Sequence, residues 1–372
     1  MTVTVTDIID ALENWAPSSL AESWDNVGLQ VGSPQKEVKR LALCLDLTRE
    51  TLDQALSFKA DCIVTHHPLF FKPLKALSFD SWQALLATEL IRHEIALVAA
   101  HTNLDAAFSG VSEVLARELH LQIEKALLPS AGVDLFRISV YVPKGYEEKI
   151  RKILLESEAA VRGAYRACSF VVEGQGSFYP SSQAKPFTGE PERLNLVAET
   201  KLEFLAPAFA LSKLLATIKE VHPYEEPAID IIPLKGRDTR LGLGRVGELP
   251  LPYTLLDLAK KVGEILKTQE VFLVGEAQKL VKRVALCAGS GGDLLKEALK
   301  ARAEVFITAE IKYHQAQEAK ARGLALISVG HFESERIIVL EMARYFENWA
   351  KKRGCDLQIS VLEERSPFQR VF

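Results

Sequence analysis

Among the side chains that could do chemistry, two of the eight histidines stand side by side, His66 and His67, in Asp61–Phe71, DCIVTHHPLFF. Ile63 and Val64 read as the end of a short buried strand. Pro68 cannot donate to a sheet ladder and restricts the residue before it. The pair therefore sits where a strand stops and a loop begins, the place at which open α/β sheets bind ligands. Successive strand residues point to opposite faces. Two adjacent histidines thus suit two metal ions, or a backbone that has just left the strand. Taken alone, a pair of surface loop histidines explains them equally well.

The same placement recurs twice. The apolar run Ile95–Ala100 ends on His101-Thr-Asn-Leu-Asp105, and Leu324–Val329 ends before Gly330–Glu335, GHFESE. His331 and Glu335, at i and i+4 on a helix start, share a face. Four of the eight histidines fall in these three segments, which strains a purely structural reading of each. Imidazole with carboxylate is a ligand set for zinc, iron, manganese or cobalt. Five good donors are too many for one catalytic zinc and suit two ions bridged by a carboxylate.

Weaker signals surround them. His101, with Asn103 and Thr65, reads as support that orients the ligands. His314 could donate a proton near a substrate. The loop Ala288–Asp293, AGSGGD, lies between strand and helix, where backbone N–H groups can hold an anion. Ser290 and Gly291 are its candidate contacts. It lacks the Lys-Ser/Thr of a P-loop, and a tight turn explains it as well. Asp25 and Asn26 either line the pocket or cap a turn.

The elements that must position these residues alternate. Asp7–Trp15 has helical spacing, with Thr6 as a cap. Val38–Leu45 reads as a strand, Arg49–Lys59 as a helix capped by Thr48, Ser81–His93 as an amphipathic helix and Val111–Leu119 as another. Strand, helix, strand, helix, strand predicts a largely parallel sheet. The pattern then changes: strands at 135–142, 166–172, 194–203 and 228–233, with helices at 146–157 and 208–221, give β-α-β-β-α-β, a ferredoxin-like order. Lys235–Gly247 reads as a glycine-bearing linker, after which the α/β pattern resumes through a last helix with Ile338, Met342, Tyr345 and Trp349 on a core stripe. The expected fold class is α/β: a split α/β domain (1–132 and 235–372) with a mostly parallel sheet, interrupted by an inserted ferredoxin-like α+β domain at 133–234. His222 and Tyr224, in HPYEEP, fall in the insert, with an interface or fold role.

Composition bounds the rest. A chain of 372 residues suits two or three domains. With 48% hydrophobic and 25% charged residues it reads as globular, and a net charge of −4 gives no general attraction to nucleic acid or an anionic membrane. The five cysteines form no CxxC pair, which fits a reducing compartment. No apolar run can span a bilayer, and the N-terminus does not read as a signal peptide. The expectation is a cytoplasmic protein.

The motifs WDNVGLQVG, THHPLFF, HTNLD and GHFESE resemble those of the dinuclear-metal-centre hexameric family. It is also known as the NIF-three-like family, and its members are called GTP cyclohydrolase 1 type 2 homologues. The resemblance covers about 1–130 and 240–372. It implies His66, His67, Asp105, His331 and Glu335 as ligands of two divalent ions. It also implies a toroidal homohexamer built from trimers, with the metal sites facing an interior cavity. The middle segment, including VHPYEEPAIDI, is similar to the PII-like or CutA-like insert of longer bacterial members. The implied activity is hydrolytic: metal-activated water attacks a purine ring, opening the imidazole of GTP and releasing formate, with His314 or Glu310 moving protons. Where the family often reads T-G-D-x-K-Y-H, this chain has Thr308-Ala309-Glu310-Ile311-Lys312-Tyr313-His314. Two alternatives remain open: a nucleotide phosphohydrolase, and a non-enzymatic metal-binding ring whose insert senses a partner or small molecule.

Overall fold

The computed structural model describes residues 2–130, 134–157, 159–162 and 165–369. The chain divides into two compact units, 1–130 with 239–372, and 131–238. The expected boundary between 132 and 133 lies outside the described residues.

The first unit opens with a helix, Val5–Trp15, capped by Thr4 rather than the expected Thr6; the Thr4 side chain accepts from the Asp7 N–H, and Asp7 accepts from Thr4 in return. That reciprocal pair satisfies two otherwise unpaired donors at the helix start. Four short strands follow: β1 (Gly28–Val31), β2 (Arg40–Cys44), β3 (Cys62–Thr65) and β4 (Ala96–Ala99). β5 (Gln122–Pro129) leads to the second unit, with β6 (Asp134–Pro143), β7 (Ser169–Phe178), β8 (Asn195–Pro207) and β9 (Ile229–Arg237). The chain then returns through β10 (Gly242–Thr254), β11 (Val271–Val274), β12 (Leu280–Cys287), β13 (Val305–Ala309), β14 (Ala325–Val329) and β15 (Gln358–Val361).

The α/β class holds, with the parallel strands of the first unit divided between two sheets. One has the order β1-β4-β3-β2-β15 and is parallel from β4 to β15. The other has the order β11-β14-β13-β12-β10-β5 and is parallel from β14 to β12. Each sheet takes an edge strand from the chain segment on the other side of the second unit in sequence, β15 in the first and β5 in the second. β2, β3 and β4 are almost wholly buried and, apart from Arg40 at the start of β2 and Thr65 at the end of β3, apolar, as parallel strands covered on both faces must be. The core of the first sheet gathers Ile63, Leu97, Leu52 and Leu90, and that of the second gathers Val284, Leu286, Ile307 and Ile327 on one face.

The glycine-bearing stretch read as a linker instead holds the end of β9 and the start of β10, which runs between β12 and β5. A Cβ at Gly242 would lie 2.2 Å from Leu128 O, and one at Gly247 would lie 2.1 Å from Gln122 O. These glycines serve close approach of neighbouring strands, a role that composition alone does not separate from flexibility. Arg245 on the same strand is fully buried; its guanidinium bonds Glu113, the carbonyls of Gly242 and Gly244, and the carbonyl of Ala107.

The second unit is an antiparallel sheet of order β7-β8-β6-β9 with helices Glu147–Glu156 and Ala208–Val221, a ferredoxin-like arrangement. In its HPYEEP turn, His222 Nε2 donates to Tyr141 O at 2.9 Å and Nδ1 accepts from the Tyr224 N–H at 3.1 Å, while the Tyr224 hydroxyl donates to Glu199 at 2.9 Å. Among the described residues no helix is long and apolar enough to cross a membrane.

Candidate metal centre

The parallel strands of both sheets in the first unit deliver polar side chains from their carboxyl ends. His66 and His67 follow β3, His101 and Asp105 follow β4, Glu310 follows β13, and His331 and Glu335 follow β14. Asp105 lies on the short helix Thr102–Ala106, and His331 and Glu335 begin and end the helix His331–Glu335. Residues far apart in sequence thus converge because the backbone leaves each sheet at the same kind of edge.

Glu335 is the meeting point. His67 Nε2 and His331 Nε2 each lie 2.9 Å from its Oε2, and the ligand atoms of these three residues all fall within 4.8 Å of one another. A second group, His66, His67 and His101, meets the same limit, and Asp105 Oδ1 lies 3.7 Å from His66 Nε2. The other ring nitrogens are engaged. His66 Nδ1 donates to Ala100 O at 2.8 Å, His67 Nδ1 meets Asp46 Oδ1 at 2.9 Å, His331 Nδ1 meets Glu310 Oε1 at 2.9 Å, and His101 Nδ1 meets Asp25 Oδ1 at 3.0 Å. With each Nδ1 occupied, each Nε2 is turned inward, the orientation that carbonyl or carboxylate partners impose on metal-binding imidazoles.

Two of the inward atoms, His66 Nε2 and Glu335 Oε2, lack hydrogen-bond partners. Among the described residues the buried side-chain polar atoms without one are Thr65 Oγ1, His66 Nε2, Ser130 Oγ and Glu335 Oε2. Three of these four belong to the cluster or its adjoining strand end. Burying an unpaired polar atom costs roughly 1–3 kcal/mol, so such a concentration calls for a ligand. Glu335 Oε2 is close to two imidazole nitrogens yet accepts no well-directed hydrogen bond from either. Donors aimed at a common point rather than at each other produce that pattern. Bonds of about 2.1 Å hold neighbouring donors about 3 Å apart in an octahedral site and about 3.4 Å apart in a tetrahedral one. The residues present therefore fit a metal ion.

The charges agree. Burial holds His66 neutral, pushing its pKa down to about 3. Burial alone would also lower His67, but the Asp46 and Glu335 carboxylates hold it up at about 10. Contact with Glu335 raises His331 to about 9. Burial works against an ionised Glu335, yet the surrounding imidazoles keep it well below the usual carboxylate range. Asp105 is pushed up by burial and by the Glu335 carboxylate. The cluster, taken without an ion, draws positive charge to itself.

Backbone geometry seats Glu335. Gly289 adopts φ +65, and a Cβ there would lie 1.8 Å from Glu335 Oε1. Its N–H donates to Ser334 Oγ at 2.9 Å, and that hydroxyl donates to His331 O at 2.8 Å. The loop 288–293 thus approaches the carboxylate at Gly289. Gly291 is buried against Thr308 and Cys287, and Ser290 is exposed.

Other expected residues take definite places. His101 stands within the cluster as a possible donor, beyond the orienting role expected of it. Asn103 accepts from the His101 N–H at 2.9 Å and donates to Ala16 O at 2.7 Å. Asp25 is held by His101, by the Thr102 N–H and by the Thr102 hydroxyl; burial opposes its ionisation, but these bonds bring its pKa to about 2. Asn26 gives its side-chain amide to Phe70 O at 2.6 Å. Glu310 supports His331, and His314 is exposed on the first turn of helix Tyr313–Ala321. Sequence reading missed Asp46, Ser334, Gly289 and Glu364. Asp46 had a signal, since it closes a strand run as the histidines do. Glu364, which accepts from the N–H groups of Leu45 and Asp46 at 2.6 and 2.8 Å, had none.

Fold and site together define an α/β protein whose two sheets present an imidazole and carboxylate cluster able to hold a metal ion. The chain belongs to the Duf34/NIF3 (NGG1p interacting factor 3) family, whose model matches residues 3–367. It is 36% identical over 362 residues to a Bacillus subtilis protein named GTP cyclohydrolase 1 type 2 homolog, covering 97% of each chain. A Staphylococcus aureus (strain COL) protein of the same name is 34% identical over 369 residues, covering 99% of this chain and 100% of that one. The crystal structure of a Bacillus cereus protein related to NIF3 superposes with a TM-score of 0.85 at 32% identity, covering 99% of both.

Proposed function

We propose that the protein is a divalent-metal-dependent hydrolase acting on a purine nucleotide, GTP first among them, with two ions held by His66, His67, Asp105, His331 and Glu335. The carrying observation is Glu335 Oε2, which lies 2.9 Å from two imidazole nitrogens and is buried without a directed hydrogen bond. The two overlapping donor groups that share His67 support a count of two, and the name borne by the relatives supports the substrate. When bound, such ions lower the pKa of water and polarise the bond under attack.

The chain's own groups set the frame. Asp46, Glu310 and Asp25 take the Nδ1 positions of His67, His331 and His101, and the Ala100 carbonyl takes that of His66. His101 is available as a further donor. Exposed His314 is assigned proton transfer with solvent and substrate, and the Ser290 hydroxyl a contact to the nucleotide. The proposed assembly is a homohexamer of trimers, read by sedimentation.

The test is to incubate metal-loaded protein with GTP and follow both products. Formate release that disappears with metal in His331→Ala supports the reading. Inorganic phosphate instead makes the protein a phosphohydrolase. Neither product from any common nucleotide leaves a metal-binding ring, and formate release that survives complete metal loss removes catalysis from this site.

A further inference from the structure

Two large aromatic side chains border the cluster and are left open to solvent. Trp24 is 58% exposed and Phe71 is 48% exposed. Both meet the His101 ring edge to face, with centroids 5.9 and 5.6 Å away and interplanar angles of 73° and 85°. An edge-to-face contact leaves each aromatic ring at least one face that His101 does not cover. His101 in turn lies 5.2 Å from His66 and 5.4 Å from His67, centroid to centroid. The open faces therefore adjoin the candidate metal donors.

Their backbones are tied down. Asp25, next to Trp24, is locked to His101 and Thr102. Asn26 donates to Phe70 O at 2.6 Å, and Gln30 Oε1 accepts from the Phe70 N–H at 3.0 Å. In THHPLFF, Leu69 is buried and Phe70 packs on the core of the first sheet, while Phe71 alone turns outward. A flexible loop could have turned both phenylalanines inward. Instead, a polar network holds two apolar rings in water beside a cluster that wants a ligand. Exposed, ordered aromatic surface next to such a site marks binding, and rings fixed in advance lose little freedom when a ligand stacks on them.

We propose that Trp24 and Phe71 form an aromatic wall that stacks the planar heteroaromatic ring of the substrate beside the metal centre. The assignment rests on reading the cluster as a nucleotide-hydrolysing site, and it adds what that site lacked: groups that recognise the base. Stacking is tolerant of base identity, since every base has a π face. The wall thus selects flat nitrogen heterocycles over sugars and phosphate and leaves guanine against adenine to other contacts.

The experiment titrates guanosine, which carries no phosphate, into the full-length metal-loaded protein by calorimetry, with ribose 5-phosphate as control. Alanine replacement of a stacking aromatic costs about 1–3 kcal/mol per base, so Trp24→Ala and Phe71→Ala should each weaken guanosine binding roughly 5- to 150-fold, at unchanged metal content. Trp24→Phe should restore affinity while removing the part of the tryptophan fluorescence that guanosine quenches. Equal affinity in wild type and both alanine variants overturns the wall and leaves metal-dependent hydrolysis standing. So does tight binding of ribose 5-phosphate with none of guanosine. Absence of formate from GTP, with guanosine binding still dependent on Trp24, overturns the hydrolysis and keeps the wall.

Discussion

In the second unit, His222 uses both ring nitrogens within the protein, one on Tyr141 O and one on the Tyr224 N–H, and Tyr224 closes the network on Glu199. In the first unit, His66, His67 and His331 each use one nitrogen in that way and leave the other directed at Glu335 or at no protein group. Residue types are alike in the two regions, imidazole with carboxylate. The difference lies in the unused lone pairs. A histidine whose two nitrogens are both engaged stiffens a turn; several that leave Nε2 free toward one carboxylate make a place for a cation.

The sharpest way to break this contrast is Glu335→Ala. It should abolish stoichiometric metal loading, read by elemental analysis, while the fold persists by circular dichroism. Retention of metal would mean that convergence on Oε2 is incidental. Next in size is Arg245→Ala, which removes one partner of a buried ion pair and leaves Glu113 and the Ala107 carbonyl unpaired. Losing one member of such a pair costs roughly 3–5 kcal/mol, visible in chemical denaturation. Asp46→Asn is expected to weaken metal binding about 10- to 100-fold, the usual effect of altering a group that orients a ligand, with little change in stability.

His222 supplies the smallest and most diagnostic effect. His222→Gln should cost about 1–3 kcal/mol, since it disturbs a buried hydrogen-bonding group, and leave metal content untouched. Burial lowers the pKa of His222, so the unfolded chain takes up its proton first as pH falls. The contribution of His222 is then full above about pH 6.5 and declines as pH drops through the folded value. Thermal unfolding between pH 8 and 5 should slope less in His222→Gln than in wild type. Equal slopes would show that another group sets the pH dependence.

Much of this arrangement was legible in the residues. The buried strand at Cys62–Thr65 announced itself by its apolar run through Val64, and Pro68 marked the loop beyond its end. The i, i+4 spacing of His331 and Glu335 placed both on one helical face. The β10 stretch was not legible, because glycines that admit a neighbouring strand look the same as glycines that loosen a linker. Asp46 showed its place at a strand end but not its partner, since its contact with His67 depends on a distance across two strands.

Local order along the chain thus set which side chains stand at strand ends and which helix faces they share, because both follow from backbone periodicity and from what proline and apolar runs permit. Only the tertiary structure decided that Glu335 of the second sheet reaches His67 of the first, that Gly289 must lack a Cβ to admit it, and that Phe71 rather than Phe70 stays in water. Those outcomes depend on how two sheets and their loops fill space against each other, and no short-range preference encodes such distances.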